Sequence, residues 1–254
     1  MSRSRRIRSE AVAAWHSFLR RRTAVFFTFF FPVILVVIFG ALVRTQPTEG
    51  GLFAEPAAYY IPGYLATVVV FTPLSRVGSE IARHRDDNRF EKLATTPLRR
   101  GEWLAAHTIV NVVIIGLASL LILGLVLLLT DATIAVSGSL VMLVPFVVLA
   151  VLLFCGFGAV LGRLADTQDG VIAASNTIAL PLLFLSDTFI TLEQLPEWFG
   201  PLVALSPLTY FARGVRAITY APAAGEPYLG DLAVVTGLAV VFLVAGAYAI
   251  PRTD

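Results

Sequence analysis

Apolar runs of about membrane-crossing length recur along this chain and leave it few folds to choose from. Several continue for close to 20 residues without a charge, the length at which a helix crosses a hydrocarbon core about 30 Å thick. In that medium only helices and closed barrels satisfy their own backbone. Barrel strands alternate apolar and polar residues over about ten positions, and continuous runs do not. Charged residues make up 14% of the chain, against about a quarter in a water-soluble domain. The chain is therefore read as an all-α polytopic membrane protein, a single domain over residues 1–254. Six transmembrane spans are expected at 24–43, 59–79, 104–130, 140–161, 170–190 and 232–250.

Ahead of the first span, residues 1–23 are expected to form an amphipathic interfacial helix. Ile7, Ala11, Trp15, Phe18 and Leu19 fall on one helical face, flanked by Arg5, Arg6, Arg20, Arg21 and Arg22. Such a helix suits the headgroup region, with its arginines against anionic lipid. The polar lead is long for a secretory leader and the run after it is longer than a leader's apolar core, so this segment reads as a retained anchor. Basic residues collect on the cytoplasmic side of membrane proteins. With both termini placed inside, sixteen of the 19 Lys and Arg fall on that side, and only Arg44, Arg213 and Arg216 fall outside. This orientation puts the chain in the cell membrane with residues 80–103 facing the cytoplasm.

That segment, EIARHRDDNRFEKLATTPLRRGEW, is a charged island between two apolar runs. It must face water, and it carries both charge signs, the apolar pair Phe90 and Leu93, and a Thr-Pro turn. This composition suits a short helix, from Asn88 to about Leu98, docking onto another protein. Arg76 and Glu80, at the inner end of the second span, are spaced to pair across one helical turn. At the other side, residues 191–220 are too apolar for a free loop and are broken by Pro196, Pro201 and Pro207. They are expected to form a re-entrant outer hairpin protected by the spans; the alternative, a seventh span, would put the C-terminus outside.

Several chemistries find no support in the residues. The only lysine, Lys92, stands in F-E-K-L rather than in a Gly-Lys-Ser/Thr phosphate loop. Any ATP that drives this protein must bind elsewhere, and the chain is not expected to be catalytic alone. His16, His84 and His107 are unclustered, and the lone Cys155 can form no internal disulfide. No acid or base stands at mid-span, where ion coupling usually needs one; Asp187, near the outer end of the fifth span, reads as an interfacial residue or helix terminator. Gly156, Gly158 and Gly162 mark a face where helices can approach closely.

Two segments resemble the type-2 ABC transporter permeases. F-E-K-L-A-T-T-P-L-R-R-G-E-W is similar to the family's cytoplasmic coupling motif, matched at Glu91, Leu93, Thr96, Pro97 and Leu98. F-L-S-D-T-F-I-T-L-E-Q-L-P-E-W-F followed by L-S-P-L-T-Y-F-A-R-G-V-R is similar to its fifth-span exit and outer helices, matched among others at Pro196, Trp198, Pro207 and Tyr210; Asp187-Thr188 and Thr191 depart from the pattern. The resemblance implies the transmembrane subunit of an ATP-driven exporter for an amphiphilic, drug-like or lipid-like cargo. It implies ABC ATPase subunits as partners, which bind the ATP and Mg, and a second permease subunit in a homodimer or heterodimer. Membrane lipid surrounds the assembly and nucleic acid is not a partner. Phe90 and Leu93 would then be docking anchors, with Glu91, Lys92 and Arg99 at the rim, and Arg163, Asp166 and Asp169 of the next inner linker a second ATPase contact. The alternatives are an ion-coupled secondary transporter and a membrane assembly protein without transport.

Overall fold

The computed structural model describes residues 2–42, 55–130, 132–134, 138–189, 196–220 and 228–251. Among them the secondary structure is helical throughout: α1 (Arg3–Arg20), α2 (Arg22–Leu35), α3 (Ile61–Asp86), α4 (Arg89–Ala94), α5 (Arg100–Leu129), α6 (Leu143–Leu164), α7 (Gln168–Phe184), α8 (Gly200–Leu205), α9 (Pro207–Thr219) and α10 (Tyr228–Ala249). Pro32 lies inside α2, where it removes one backbone donor, and the helix widens soon after into a π-helical stretch, Val36–Leu42. Arg44, Thr191 and Leu195 lie outside the described residues, as do most of the first outer linker and parts of the later ones.

Five helices are long and apolar enough to cross a membrane: Arg22–Gly40, Ala57–Asp86, Arg100–Leu129, Gly138–Leu164 and Tyr228–Ala249. They match five of the six expected spans, with α3 running seven residues past the expected end at Ser79. The expected span at 170–190 is α7, which has 17 residues and stops at Phe184. At about 1.5 Å per residue it is roughly 26 Å long. Pro181 stands in its last turn, and residues 185–189 continue as turns.

α3 is the central column. Its apolar window is 78% buried, against 11% for the first span and 17% for the last. α6 is held between α3 and α10 by glycines on two sides. A methyl group added at Gly162 would lie 2.5 Å from the Gly78 carbonyl oxygen of α3, and one at Gly158 would run into the Leu74 backbone. On the other side Gly156 abuts the Phe242 backbone of α10, and Gly246 of α10 abuts Gly156. The expected glycine face is thus two faces, and contacts this close gain dispersion energy where lipid offers no hydrophobic drive.

α1 docks on protein. Ala14 and Phe18 are buried against Val110 and Ile114 of α5, while Ala11 and Trp15 pack at the margin. Leu19, expected on the same apolar face as Phe18, is 48% exposed. Phe26, Phe27, Phe30 and Phe31 of α2 are exposed, and this suits a helix at the lipid boundary.

Candidate functional site

The island folds as a short helix separated from α3 by a break at Asp87 and Asn88. Asn88 adopts φ 51° and ψ 33°, the left-handed conformation that ends helices, and it is the one non-glycine residue with positive φ among those described. Asparagine tolerates this region far better than most side chains. Asp87 N–H donates to the Arg83 carbonyl and Asn88 N–H to that of Arg85, both at 3.0 Å, closing α3. α4 then runs only from Arg89 to Ala94, shorter than the stretch to Leu98 expected from sequence. Two hydroxyls stop it: Thr95 donates to the Lys92 carbonyl at 2.8 Å and Thr96 to the Leu93 carbonyl at 2.7 Å.

Phe90 corrects an expectation. It is 5% exposed, so it cannot anchor a partner. Its ring packs against those of His84 (5.5 Å between centroids) and Trp103 (5.8 Å), rooting α4 in the bundle. Trp103 continues onto His107 at 3.9 Å. Arg89 Nη1 lies 3.1 Å from His84 Nε2. Outside this root Glu91, Lys92, Thr96, Pro97 and Arg99 are exposed, and Leu93 and Leu98 are half-buried. Leu93, Leu98, Ile250 and Pro251 help line a groove of about 670 Å³ beside α4.

Glu102 ties this segment to the N-terminal helix. One of its oxygens accepts the Arg99 backbone N–H at 3.0 Å, capping α5 at the third position. Arg6 of α1 donates to both oxygens, at 2.9 and 2.5 Å, in a fork-to-fork pair. Glu10, one turn further along α1, lies 3.4 Å from His107 Nε2. The His107 ring holds the Glu10 carboxyl below the usual carboxylate range, against the opposing cost of burial. Glu80 pairs with Arg83, with Arg21 of α1's end at 3.5 Å and with His84 at 3.5 Å. It does not pair with Arg76, as its spacing suggested; the Arg76 guanidinium sits over the Phe18 ring, 4.4 Å from its centroid.

The second inner linker sits at the same end of the bundle. Arg85 of α3 donates to the carbonyls of Ala165 (2.6 Å) and Asp166 (2.8 Å), occupying acceptors left open where α6 ends. Thr167 caps α7 by accepting the Gly170 N–H at 3.0 Å. The side chains of Arg163, Asp166 and Asp169 are exposed around this turn. Both candidate contact segments are therefore fastened to α3, one at Asn88 and the other at Arg85.

At the opposite end, α8 and α9 start with prolines near their first turns, Pro201 and Pro207. Pro196 and Trp198 are exposed, Trp198 at 70%. The Tyr210 hydroxyl donates to the Ala204 carbonyl at 2.8 Å, binding α9 back to α8. Asp187, read from sequence as interfacial, is buried in an ion pair. Arg216 Nη1 lies 2.8 Å from its Oδ2, Tyr59 donates to its Oδ1 at 3.1 Å, and the guanidinium stacks on the Tyr59 ring at 3.9 Å. The cluster joins the start of α3, the turn after α7 and α9.

Sequence reasoning missed the Glu102–Arg6 pair, Arg85 and the Asp187–Arg216 pair. Glu102 carried a readable signal, since an acid three residues after the start of a helix is a capping pattern. Its partner 96 residues away carried none.

The sequence is similar to those of known proteins. A family model described as ABC-2 type transporter matches residues 7–220. A permease protein of a daunorubicin resistance ABC transporter from Streptomyces coeruleorubidus is 26% identical over 92% of this chain and 85% of its own length. A probable doxorubicin resistance ABC transporter permease of Mycobacterium tuberculosis is 22% identical over 86% of this chain and 76% of its own. A probable multidrug ABC transporter permease of Escherichia coli is 20% identical over 60% of this chain and 41% of its own.

Proposed function

The chain belongs to the ABC-2 type transporter family, and on that premise we propose that it is the permease half of an ATP-driven exporter of amphiphilic cargo. Two permease subunits, identical or related, form the pathway, and two ATPase subunits bind ATP and Mg beneath them. The arginine-rich end, with both termini, faces the cytoplasm of a cell membrane. α4 and the turn to Arg99 meet the ATPase, and the linker carrying Arg163, Asp166 and Asp169 is a second contact.

The observation that carries this reading is the rooted knob of α4. Phe90 is buried and Glu102 holds the exit turn, while Glu91, Lys92, Thr96 and Pro97 are exposed. A segment that is rigid at its root and free at its surface transmits force without absorbing it. Half-buried Leu93 is the apolar centre of this surface, ringed by charges that give complementarity and register. Because Arg85 and Asn88 fasten both contact segments to α3, a push on either moves the central column. Export and a drug-like cargo are supported by the relatives, whose names are those of drug-resistance and multidrug permeases.

The test is reconstitution of the full chain with its ATPase in proteoliposomes, with a panel of amphiphilic drugs that includes anthracyclines. ATP-dependent movement and ATPase stimulation are expected, and Leu93→Asp should abolish both while the protein still inserts and binds its second subunit. Unchanged stimulation and transport by Leu93→Asp would refute the docking role. Movement driven by a proton or sodium gradient without ATP would refute the ATP-driven reading.

A further inference from the structure

A cleft of about 730 Å³ opens between α1, α2, α3 and α7, within the size range of sites for drug-sized ligands. Exposed Phe27, Phe31 and Leu180 stand at its margins, and Arg76 and Ser79 of α3 line its interior. Arg76 is four residues from Glu80 on the side away from α4, about 6 Å further along the helix axis toward the membrane interior. Its Nη1 is buried with no hydrogen-bond partner, and the Ser79 hydroxyl beside the same cleft is buried without one too. No acid among the described residues lies within ion-pair distance of Arg76: Glu80 is engaged by Arg83, Arg21 and His84. The remaining ionisable groups lining the cleft are Arg21 and His107. The cleft therefore holds more positive than negative charge, with two buried polar groups unanswered.

A guanidinium at this depth is costly unless something pairs with it. The Phe18 ring accepts one face of the cation but supplies no hydrogen-bond acceptor to Nη1. We propose that the cleft binds an amphiphile with an anionic head, a carboxylate or phosphate, which accepts hydrogen bonds from Arg76 and Ser79 while its apolar part lies along Phe27, Phe31 and Leu180. The forked donors of arginine match the paired oxygens of such heads. The exposed margin lets a ligand enter sideways from the lipid. The proposal rests on the transport reading only in calling a free amphiphile cargo; an anionic phospholipid would present the same chemistry.

The test uses the full chain in phosphatidylcholine nanodiscs, with cis-parinaric acid and its methyl ester as probes, followed by energy transfer from tryptophan. The acid is expected to bind about tenfold more tightly than the ester, as loss of one charge-assisted contact implies. Arg76→Gln should erase that preference and Arg76→Lys should keep most of it. Ser79→Ala, a milder change, should reduce the preference about threefold, so the test stands even if Arg76→Gln folds poorly. Adding phosphatidylglycerol identifies the source: displacement of the acid assigns the site to a lipid headgroup, no displacement assigns it to a free amphiphile, and both keep the proposal. Equal binding of acid and ester to the unaltered protein overturns it, as does a preference that survives Arg76→Gln. Those failures leave ATPase coupling through Leu93 untouched, whereas loss of coupling with the acid preference intact overturns the transport reading alone.

Discussion

Replacing Asp187 by Asn keeps its shape and removes the carboxylate that, among the described residues, pairs with Arg216. The side chains of Asp187 and Arg216 are 10% and 11% exposed, and their closest atoms are 2.8 Å apart. Arg216 also donates to the Asp187 backbone carbonyl, and its ring contact with Tyr59 stays in place. The variant therefore leaves a buried guanidinium with neutral partners only. Removing one member of a buried pair costs about 3–5 kcal/mol. Asn can still accept from the Tyr59 hydroxyl, so the lower end, about 3 kcal/mol, applies. For a chain of this length each kcal/mol moves Tm by about 2–4 °C, giving a drop of roughly 6–12 °C. The assay is thermal unfolding of the purified full chain in detergent, run on Asp187→Asn, Arg216→Met and the double variant. The double variant should lose less than the sum of the single ones, with a coupling of about 2 kcal/mol. A drop below about 2 °C for Asp187→Asn, or losses that simply add, would show that the pair does not hold α3, the α7 turn and α9 together.

Two further expectations concern the elements that set the candidate site. Asn88→Gly should be tolerated while Asn88→Val should destabilise by about 1–2 kcal/mol, the cost of forcing a branched side chain into the left-handed region; ATPase stimulation measured beside Tm would show whether the α4 angle changes with it. Gly162→Val places its Cβ 2.5 Å from the Gly78 carbonyl oxygen, against backbone that cannot yield, so α3 and α6 must separate and Tm should fall by several degrees. Gly237→Ala, on α10 where no atom lies within reach of a new methyl group, is the matched control and should leave Tm within a degree or two.

The helices and their polarity were legible because hydrophobic length and proline position act locally. Pro201 and Pro207 start short helices as their fixed φ requires, and the Thr-Pro turn ends α4. The island's placement outside the apolar core also followed from charge alone. Its internal division did not. Phe90 and Leu93 are equally apolar in sequence, and only the rings of His84 and Trp103, folded against α4, decide that Phe90 is root and Leu93 surface. Arg76 and Glu80 had ideal spacing for a pair, yet Arg83 and Arg21 took the carboxylate and Phe18 took the cation. Such choices depend on competitors brought in by other helices, and those competitors leave no mark on the local pattern. The same holds for Asp187, whose partner Arg216 is 29 residues away on another element.

The bond between Arg6 and Glu102 also imposes an order on synthesis. α1 leaves the ribosome before α5, and the acid that latches it lies 96 residues later. At translation rates of about 5–20 residues per second, that is a wait of roughly 5–20 s. During this interval α5, which supplies the apolar seat of α1 at Val110 and Ile114, is unmade as well. Only once α5 is made do the Arg6 guanidinium and the buried face of α1 find their places. A nascent chain that stalls before Glu102 leaves that helix accessible to proteases, whereas one that has passed Ile114 into the bilayer has closed it.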